Sequence, residues 1–372
     1  MAKKKILVYA FLSNNVGDDL FVKTLCERYP QADFYISKEA ERCQALREID
    51  NLKPSLRVLL GIKMIGLEAK LYNKGIRTSL LTRCAGLLLH DFEASVFIAG
   101  SVFVQKGKVW AGGVRRQLQR ASLTKEYMIV SANFGPYTEP GYRDDYQACF
   151  EKLTDVCFRD SYSKAQFPES RNVRWAPDAI FTVQPHEKPE KKKAMISVLW
   201  CARPRRPAAL QAKNDAYEQR IAEMASCLQK KGYETCFVSF CADQKDNEVA
   251  RRIYDRCVAN GDDHASVLEY TGDLNGLLDA FAESECVIAS RFHAMILGWI
   301  HGKRVMPLCY DDKMRHVLDD LPFYKGYDIL NIDQVDAQEA VEAMLSLPRP
   351  ECSEIVERAQ AQFAALDARM KR

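Results

Sequence analysis

One short segment combines an arginine and a histidine in a position that suits acid–base chemistry on an anionic ligand. Arg291 and His293 follow a strand-like apolar run, Cys286–Ala289, and precede a helical pattern that reaches Ile300. Free backbone N–H groups at a helix start attract anions, and an imidazole can donate or accept a proton near neutral pH. The segment therefore predicts a catalytic turn, and a buried histidine bonded to backbone is the alternative.

Another arginine, Arg159, directly follows the predicted strand Asp155–Phe158. Its planar guanidinium can make two parallel hydrogen bonds to a carboxylate or phosphate. We therefore predict that Arg159 binds an anionic group. A network between Arg159 and Asp160 that braces the loop stays open as the alternative.

Two aspartates are candidate bases. Asp18 lies with Asn15 and Gly17 in a polar loop after the first predicted strand, and Asp178 lies near the end of the first half of the chain. The loop also offers backbone N–H groups and polar side chains to an anion or a sugar. In the alternative, Asp18 or Asp19 caps the next helix and Asp178 braces its own loop. The residues do not decide between Asp18 and Asp178.

Small and polar residues follow two more predicted strands. Ser101 comes after Val96–Ala99, and Asn133 and Gly135 come after Tyr127–Ser131. Small residues at strand ends let a ligand approach the backbone closely, although tight turns need the same residues. We predict substrate contacts at all three positions.

Two further cations could complete an anion site. Arg205 lies in an arginine-rich turn after Ala194–Leu199, and Lys313 follows Arg304–Cys309. A solvated loop is the alternative for each.

The elements that must position these residues are strands alternating with helices. This alternation predicts an α/β fold with parallel sheets covered on both faces, at whose carboxyl ends ligands bind. The nine predicted strands are Ile6–Phe11, Ala32–Ile36, Val96–Ala99, Tyr127–Ser131, Asp155–Phe158, Ala194–Leu199, Thr235–Phe240, Cys286–Ala289 and Arg304–Cys309.

The strands fall into two groups, separated by a charged, proline-containing segment at 184–193 that is typical of a linker. We predict one domain over 1–183 and a second over 194–345. The remaining residues, 346–372, are predicted to supply a terminal helix that packs back on the first domain.

Composition excludes several classes of protein. The 372 residues are enough for two domains, and the hydrophobic share of 47% is typical of a folded chain. A net charge of +3 argues against a nucleic-acid binder. The thirteen cysteines are scattered, and the six histidines lack metal-site spacing, so neither disulfides nor a metal is expected. Without a secretory signal or a transmembrane-length apolar run, a cytoplasmic location is predicted.

The stretch from Lys53 to Arg83 is unusually basic, with seven cations, one acid (Glu68) and interleaved leucines and isoleucines. A basic amphipathic segment can lie on an anionic membrane, here its inner face. The favoured alternative is an ordinary helix that packs on its own sheet with lysines facing water.

Taken in order, these segments resemble the polysaccharide pyruvyl transferase family over roughly residues 4–320. One departure is Ala99, which replaces the first of two glycines that often precede the serine in this family. The matching segments are Asn15–Asp18, Gly100–Phe103, Asn133–Pro136, Arg159–Asp160 with Ser163, Ala176–Asp178, Ser290–Ala294 and Pro307–Lys313.

The resemblance implies two Rossmann-like domains facing a cleft, as in GT-B glycosyltransferases. It also implies transfer of a pyruvyl group from phosphoenolpyruvate to a hydroxyl pair of a hexose in a cell-surface polysaccharide or its precursor, forming a ketal. Apart from this donor substrate, no cofactor is implied. By position, Arg159, Arg291 and His293 match family residues linked to donor binding or catalysis. His293 would then be the general acid, and both arginines would hold the donor's anionic groups.

Two other functions stay open. One is a GT-B glycosyltransferase with a nucleotide-sugar donor, since a fold does not determine a function. The other is a non-catalytic, membrane-associated glycan assembly protein that uses residues 53–83. The sequence leaves the acceptor sugar, its linkage to a lipid and the oligomeric state undetermined.

Overall fold

The computed structural model describes residues 3–372, which form two compact units. Unit 1 contains residues 3–12, 21–182 and 356–372, and unit 2 contains residues 13–20 and 183–355. Each unit is built on one sheet in which every strand pairing is parallel. The predicted fold class, two parallel-sheet α/β domains, is confirmed.

The sheet of unit 1 has the strand order β3-β2-β1-β4-β6-β7-β8, and β5 pairs with β6 outside this order. Its central strands are buried on both faces, as in β4, where all five residues are buried. The strands are β1 (Lys4–Tyr9), β2 (Ala32–Ser37), β3 (Leu52–Ser55), β4 (Ala94–Ile98), β5 (Ser101–Phe103), β6 (Tyr127–Phe134), β7 (Asp155–Phe158) and β8 (Val173–Trp175).

The sheet of unit 2 has six strands in the order β11-β10-β9-β12-β13-β14. The step from β9 to β12 is a switch point in strand order, where open α/β sheets bind ligands beyond the carboxyl ends of the strands. The strands are β9 (Lys193–Ser197), β10 (Glu234–Ser239), β11 (Ala265–Glu269), β12 (Cys286–Ala289), β13 (Arg304–Cys309) and β14 (Tyr327–Asp328).

Helices connect the strands, as parallel pairing requires. Several begin at an aspartate that caps the first turn; for example, Asp160 accepts a hydrogen bond from the backbone N–H of Ser163 at 2.7 Å. The helices are α1 (Val16–Arg28), α2 (Leu56–Asn73), α3 (Leu80–Leu89), α4 (Ala111–Ala121), α5 (Pro140–Phe150), α6 (Ser161–Ala165), α7 (Ala208–Gln211), α8 (Asn214–Lys230), α9 (Asp246–Ala259), α10 (Leu274–Glu283), α11 (Phe292–Ile300), α12 (Asp312–Asp319), α13 (Ala337–Ser346), α14 (Ser353–Ala359) and α15 (Ala364–Lys371).

All nine predicted strands are present, with ends shifted by at most three residues. The shift matters at β6, which continues to Phe134, so that Asn133 lies inside the strand instead of after it. The strands that were not predicted are β3, β5, β8, β11 and β14. They are short or lie at a sheet edge, where the apolar signal is weak.

The basic stretch at 53–83 begins in β3 and continues as two helices instead of one. Helix α2 ends at Asn73, and α3 begins at Leu80. No helix formed by residues 3–372 has both the length and the apolar character needed to cross a membrane.

The C-terminal tail is part of unit 1. A 3₁₀ segment, Gln360–Phe363, interrupts the single helix that was predicted there. The Gln362 side chain is buried, accepts a hydrogen bond from Ser131 N at 2.9 Å and donates to the carbonyls of Phe158 and Ala176 at 3.0 and 2.7 Å. These contacts tie the tail to the carboxyl-end region of β6 and β7.

Candidate functional site

The turn that carries Arg291 and His293 is held by buried hydroxyl groups of unit 2. Strand β12 ends at Ala289, and Arg291 is the N-cap residue of α11. Ser197 Oγ accepts hydrogen bonds from the backbone N–H groups of Ser290 and Arg291 at 3.0 and 3.1 Å. Because Tyr217 Oη also donates to Ser290 Oγ at 2.8 Å, the backbone entering the helix is fixed.

The Arg291 guanidinium is a fixed, permanently charged group. Its side chain is buried, pairs with the buried carboxylate of Asp246 and donates from Nη1 to Gln244 Oε1 at 3.0 Å. Burial lowers the pKa of Arg291, but the attraction of Asp246 and Tyr310 outweighs it and raises the pKa overall. The arginine therefore supplies a preorganised cation at the carboxyl end of β12.

The imidazole of His293 lies directly against the backbone of Gly17. A Cβ atom at position 17 would lie 1.8 Å from His293 Nδ1, so only glycine fits there. The ring of Phe292 stands perpendicular to the imidazole, with 5.0 Å between centroids. His293 remains half-buried and is packed from two sides.

The loop that contains Gly17 belongs to unit 2, although the strand before it belongs to unit 1. Asn15 forms an antiparallel bridge with Cys241, and Val16 N donates to Phe240 O at 3.1 Å. Asn15 Oδ1 also accepts from Gly17 N at 3.0 Å. The structure thus brings the predicted residues Asn15 and Gly17 to the His293 turn.

Two neighbouring carboxylates follow Gly17. Asp18 is half-buried and accepts a hydrogen bond from Ser13 Oγ at 3.0 Å. Asp19 is fully buried, and Tyr270 Oη donates to its Oδ2 at 2.7 Å. Burial raises the pKa of Asp19 to about 6, against the smaller lowering effect of Tyr270. Sequence reasoning treated Asp19 only as a cap, because nothing local reveals that its side chain is buried.

Two further cations of unit 2 surround the ring of Tyr310. The guanidinium carbon of Arg206 lies 4.6 Å from the ring centroid, and Lys313 Nζ donates to Tyr310 Oη at 2.8 Å. Lys313 also pairs with Asp311 at 2.9 Å. Tyr310 is thus contacted by both cations, and it is also one of the groups that raise the pKa of Arg291.

The predicted residue Arg205 is exposed, and its neighbour Arg206 is the arginine that contacts Tyr310. The sequence showed the run of arginines but could not rank them. Their order depends on a tyrosine about a hundred residues further along the chain.

Three predicted residues of unit 1 surround a fourth, Arg159, which is 3% exposed. Arg159 Nη1 donates to Asp178 Oδ2 at 3.1 Å, and Nη2 donates to Asn133 Oδ1 at 2.8 Å and to Ser101 Oγ at 3.5 Å. A Cβ atom at Gly100 would lie 2.7 Å from Arg159 Nη1, so the glycine makes room for the guanidinium.

The contacts of Asp178 are those of a positioning residue. Asp178 is fully buried, pairs with Arg159 and accepts from Ile180 N at 2.9 Å. Burial raises the pKa of Asp178, and the nearby Arg159 charge opposes this shift without cancelling it.

The predicted residue Gly135 has a backbone role in the turn after β6. It adopts a positive φ of 96°, and its backbone N–H donates to Phe103 O at 2.7 Å.

The described part of the chain, residues 3–372, contains no cluster of three or more histidine, cysteine, aspartate or glutamate side chains arranged to hold a metal ion.

Comparison with solved structures shows the same fold in sugar-nucleotide enzymes. UDP-GlcNAc 2-epimerase from Methanocaldococcus jannaschii aligns with a TM-score of 0.61 and 10% identity, covering 98% of this chain and 99% of the epimerase. The Neisseria meningitidis enzyme, bound to UDP-GlcNAc, aligns with a TM-score of 0.56 and 12% identity, covering 98% and 100%. At such low identity the likeness shows the fold alone, and it confirms the predicted GT-B-like class.

A search of curated protein sequences finds no match. The family model described as polysaccharide pyruvyl transferase, however, matches residues 11–312, which include the Asn15–Asp18 loop, Arg159 and the Arg291–His293 turn. This chain is therefore a transferase that belongs to the polysaccharide pyruvyl transferase family.

Proposed function

We propose that this protein transfers the pyruvyl group of phosphoenolpyruvate to two hydroxyls of one hexose, forming a cyclic ketal on a polysaccharide or its precursor. Family membership supports pyruvyl transfer to a polysaccharide. The donor, the ketal product and the roles of individual residues go beyond what family membership supports, and we propose them from the site.

The observation that carries the proposal is the pairing, on one turn, of a fixed cation with a packed imidazole. Arg291 is held by Asp246 and Gln244, and His293 is held against Gly17. Phosphoenolpyruvate carries a phosphate and a carboxylate and must be protonated at its methylene carbon. A guanidinium beside a half-buried imidazole suits both needs.

The proposed reaction balances in atoms and charge without any co-reactant besides phosphoenolpyruvate and the sugar. His293 protonates the methylene carbon while the first sugar hydroxyl attacks the central carbon and loses its proton. The second hydroxyl then attacks the same carbon, and the C–O bond to phosphate breaks. Inorganic phosphate leaves with the bond's electron pair. A base accepts the two hydroxyl protons in turn, and of these one restores His293 and the other protonates the phosphate. Arg291, with Arg206 and Lys313 nearby, stabilises the charge that develops on the phosphate.

We assign the role of base to Asp18 and not to Asp178. Asp18 is half-buried and adjacent to Gly17, which contacts His293. Asp178 is fully buried and already paired with Arg159, so its carboxylate is engaged in positioning. Arg159 is kept in the proposal as a ligand of an anionic group of the donor because it matches the family's motif, and its contacts to Asp178 and Asn133 hold the guanidinium in place within unit 1.

Donor binding is tested by calorimetric titration of phosphoenolpyruvate and, separately, of UDP-GlcNAc into the full chain. We expect saturable binding of phosphoenolpyruvate, weakened at least about tenfold by Arg291→Lys, since lysine lacks the bidentate geometry. Arg251→Ala is the matched control, because Arg251 is exposed on α9. Binding of UDP-GlcNAc in place of phosphoenolpyruvate would reject the proposal in favour of a nucleotide-sugar glycosyltransferase.

The role of His293 is tested by phosphate release and by mass-spectrometric detection of pyruvylated product on a panel of hexose acceptors. His293→Gln should lower turnover by roughly 100-fold or more, the usual contribution of a general acid. Its affinity for phosphoenolpyruvate should change little, since Arg291 is untouched. Near-normal turnover of this variant would remove His293 from the mechanism.

A further inference from the structure

Helix α2 exposes a stripe in which leucines and lysines are interleaved. Leu56, Leu60, Lys63, Leu67 and Lys70 are all exposed and follow one another at spacings of three or four residues, which places them on one helix face. Leu56 and Leu67 are 54% and 51% exposed. A helix that only packs on its own sheet keeps its leucines on the buried face, so this stripe needs another explanation.

Helix α3 repeats the arrangement. Leu80, Arg83 and Leu87 are exposed at the same spacings, with Leu87 78% exposed, and Ile76 is exposed in the connecting loop. Of the eleven large hydrophobic residues that are exposed within residues 3–372, six lie between 56 and 87. We call this exposed part of α2, α3 and their loop the α2–α3 surface. More than half of the exposed large hydrophobic residues among residues 3–372 are therefore clustered on this one surface.

The α2–α3 surface is positive throughout. Glu68 is the only acid between 53 and 83, and it is buried, where it accepts hydrogen bonds from Thr82 N at 3.0 Å and Gln119 Nε2 at 2.6 Å. Among residues 3–372, no carboxylate forms an ion pair with Lys63, Lys70 or Arg83. The surface therefore presents cations without counter-ions.

A cavity of about 330 Å³ between α2 and α4 opens beside this stripe. Lys63 and Lys70 of α2 and Arg116 and Arg120 of α4 line it, and none of the described acidic residues does. Arg120 lies over the rings of Tyr9 and Phe97, at 4.3 and 4.5 Å from their centroids. Four cations around one cavity without a carboxylate indicate a site for an anion.

We propose that the α2–α3 surface docks on an anionic lipid membrane and that the cavity binds a lipid phosphate. The exposed leucines would enter the headgroup region, and the interleaved cations would meet the lipid phosphates. A soluble anion would leave the leucines in water, and a neutral membrane would leave the cations unpaired. The proposal goes beyond pyruvyl transfer and does not depend on the donor.

Sedimentation of the full chain with vesicles tests the proposal. We compare vesicles of phosphatidylcholine alone with vesicles that also contain phosphatidylglycerol, at low and high salt. The protein should bind the anionic vesicles at least about tenfold more tightly, and added salt should weaken the binding. Equal binding to both vesicle types, or none to either, would overturn the proposal.

Paired variants separate the apolar and charged contributions. Lys63→Gln/Lys70→Gln and Leu67→Ser/Leu87→Ser should each weaken binding to anionic vesicles about tenfold or more. The matched controls are Lys106→Gln/Lys108→Gln and Val258→Ser, which alter exposed residues elsewhere and should bind normally. A normal response from both test variants would show that another surface is responsible.

One further variant tests the role of the cavity separately from the exposed residues. A Cβ atom at Gly66 would meet nothing within 4 Å, so Gly66→Leu can extend into the cavity without removing a cation. This variant should lose most of the preference for anionic lipid, and an unchanged preference would remove the cavity from the proposal.

Soluble glycerol phosphate distinguishes a free anion from a membrane. If it bound the protein while vesicles did not, the site would be one for a soluble phosphate and the lipid proposal would fail. Binding of phosphoenolpyruvate to Lys63→Gln/Lys70→Gln should stay normal. Failure of vesicle binding is thereby distinguishable from failure of the proposed donor chemistry.

Discussion

Asp19 has no exposed surface, and the hydroxyl of Tyr270 is its hydrogen-bond donor at 2.7 Å. Burial raises its pKa to about 6, whereas an aspartate in an unfolded chain has a pKa of about 4. Between these two values the folded protein holds a proton that the unfolded chain has released. Stability therefore falls as the pH rises through this window.

This prediction is checked by urea unfolding of the parent protein and Asp19→Asn from pH 5 to pH 7.5. The free energy of unfolding of the parent should fall, relative to the variant, by about 1 kcal/mol over this range. The asparagine side chain of the variant keeps an oxygen acceptor for Tyr270 but cannot ionise. Parallel pH profiles would mean that the Asp19 carboxyl group titrates at its ordinary pKa.

The residue scale also shows what sequence could and could not predict about the site. Arg291 and Arg159 were identified because each lies within two residues of the end of a strand, and strand ends are a local signal. Their partners were not all visible: Asp246 is 45 positions from Arg291, and no local pattern joins the two. The packing of His293 on Gly17 likewise needs the tertiary fold.

At the scale of elements, two glycines of α2 make a matched comparison. A Cβ atom at Gly66 would meet nothing within 4 Å, whereas one at Gly61 would lie 2.7 Å from Leu89 Cδ1 on α3. Because position 66 is open, Gly66→Ala should raise the free energy of unfolding by about 0.5–1 kcal/mol. Alanine at the α2–α3 contact should instead crowd the fully buried Leu89, at a cost of about 1–3 kcal/mol.

Denaturant unfolding of Gly66→Ala and Gly61→Ala measures this difference directly. The first should raise the midpoint and the second should lower it. If both variants were equally stabilised, position 61 would have room for a methyl group, and Leu89 would lie further from it than 2.7 Å.

Strands that are buried along their length were predicted from the sequence, and short or partly exposed strands were not. Strands such as β4 and β12 are buried along their whole length and are recognised as short apolar runs. Strand β3 has the sequence LKPS, with two exposed residues, and β14 has only two residues. Such edge strands exist because a neighbour offers backbone partners, and their own composition carries little signal.

At the scale of the whole molecule, chain order and unit membership differ. Residues 13–20 belong to unit 2, although they follow β1 of unit 1, and residues 356–372 belong to unit 1, although they follow unit 2. The charged segment at 184–193 was visible as a break in composition. The two exchanged segments were not, because their place depends on contacts between residues far apart in the chain.

Gln362 makes the tail's contribution to unit 1 measurable. Its side chain pairs with three backbone groups, those of Ser131, Phe158 and Ala176, at 2.7–3.0 Å, and it is 1% exposed. Gln362→Leu would leave Ser131 N and Ala176 O without this partner, whereas Phe158 O still accepts from Ala176 N at 3.0 Å. At about 1–3 kcal/mol for each of the two unpaired groups, we expect a loss of roughly 2 kcal/mol or more.

Hydrogen exchange followed by mass spectrometry locates this loss within the molecule. In Gln362→Leu, the amides of β6 and β7 should exchange faster, because the groups that lose their partner lie in or next to these strands. The amides of β9 and β12 should keep their rates, since unit 2 has its own sheet. Gln338→Leu, which alters an exposed residue of α13, should match the parent throughout. Equal acceleration in both sheets would show that the two units unfold as one cooperative body, and unchanged exchange in β6 and β7 would show that the tail contributes nothing to unit 1.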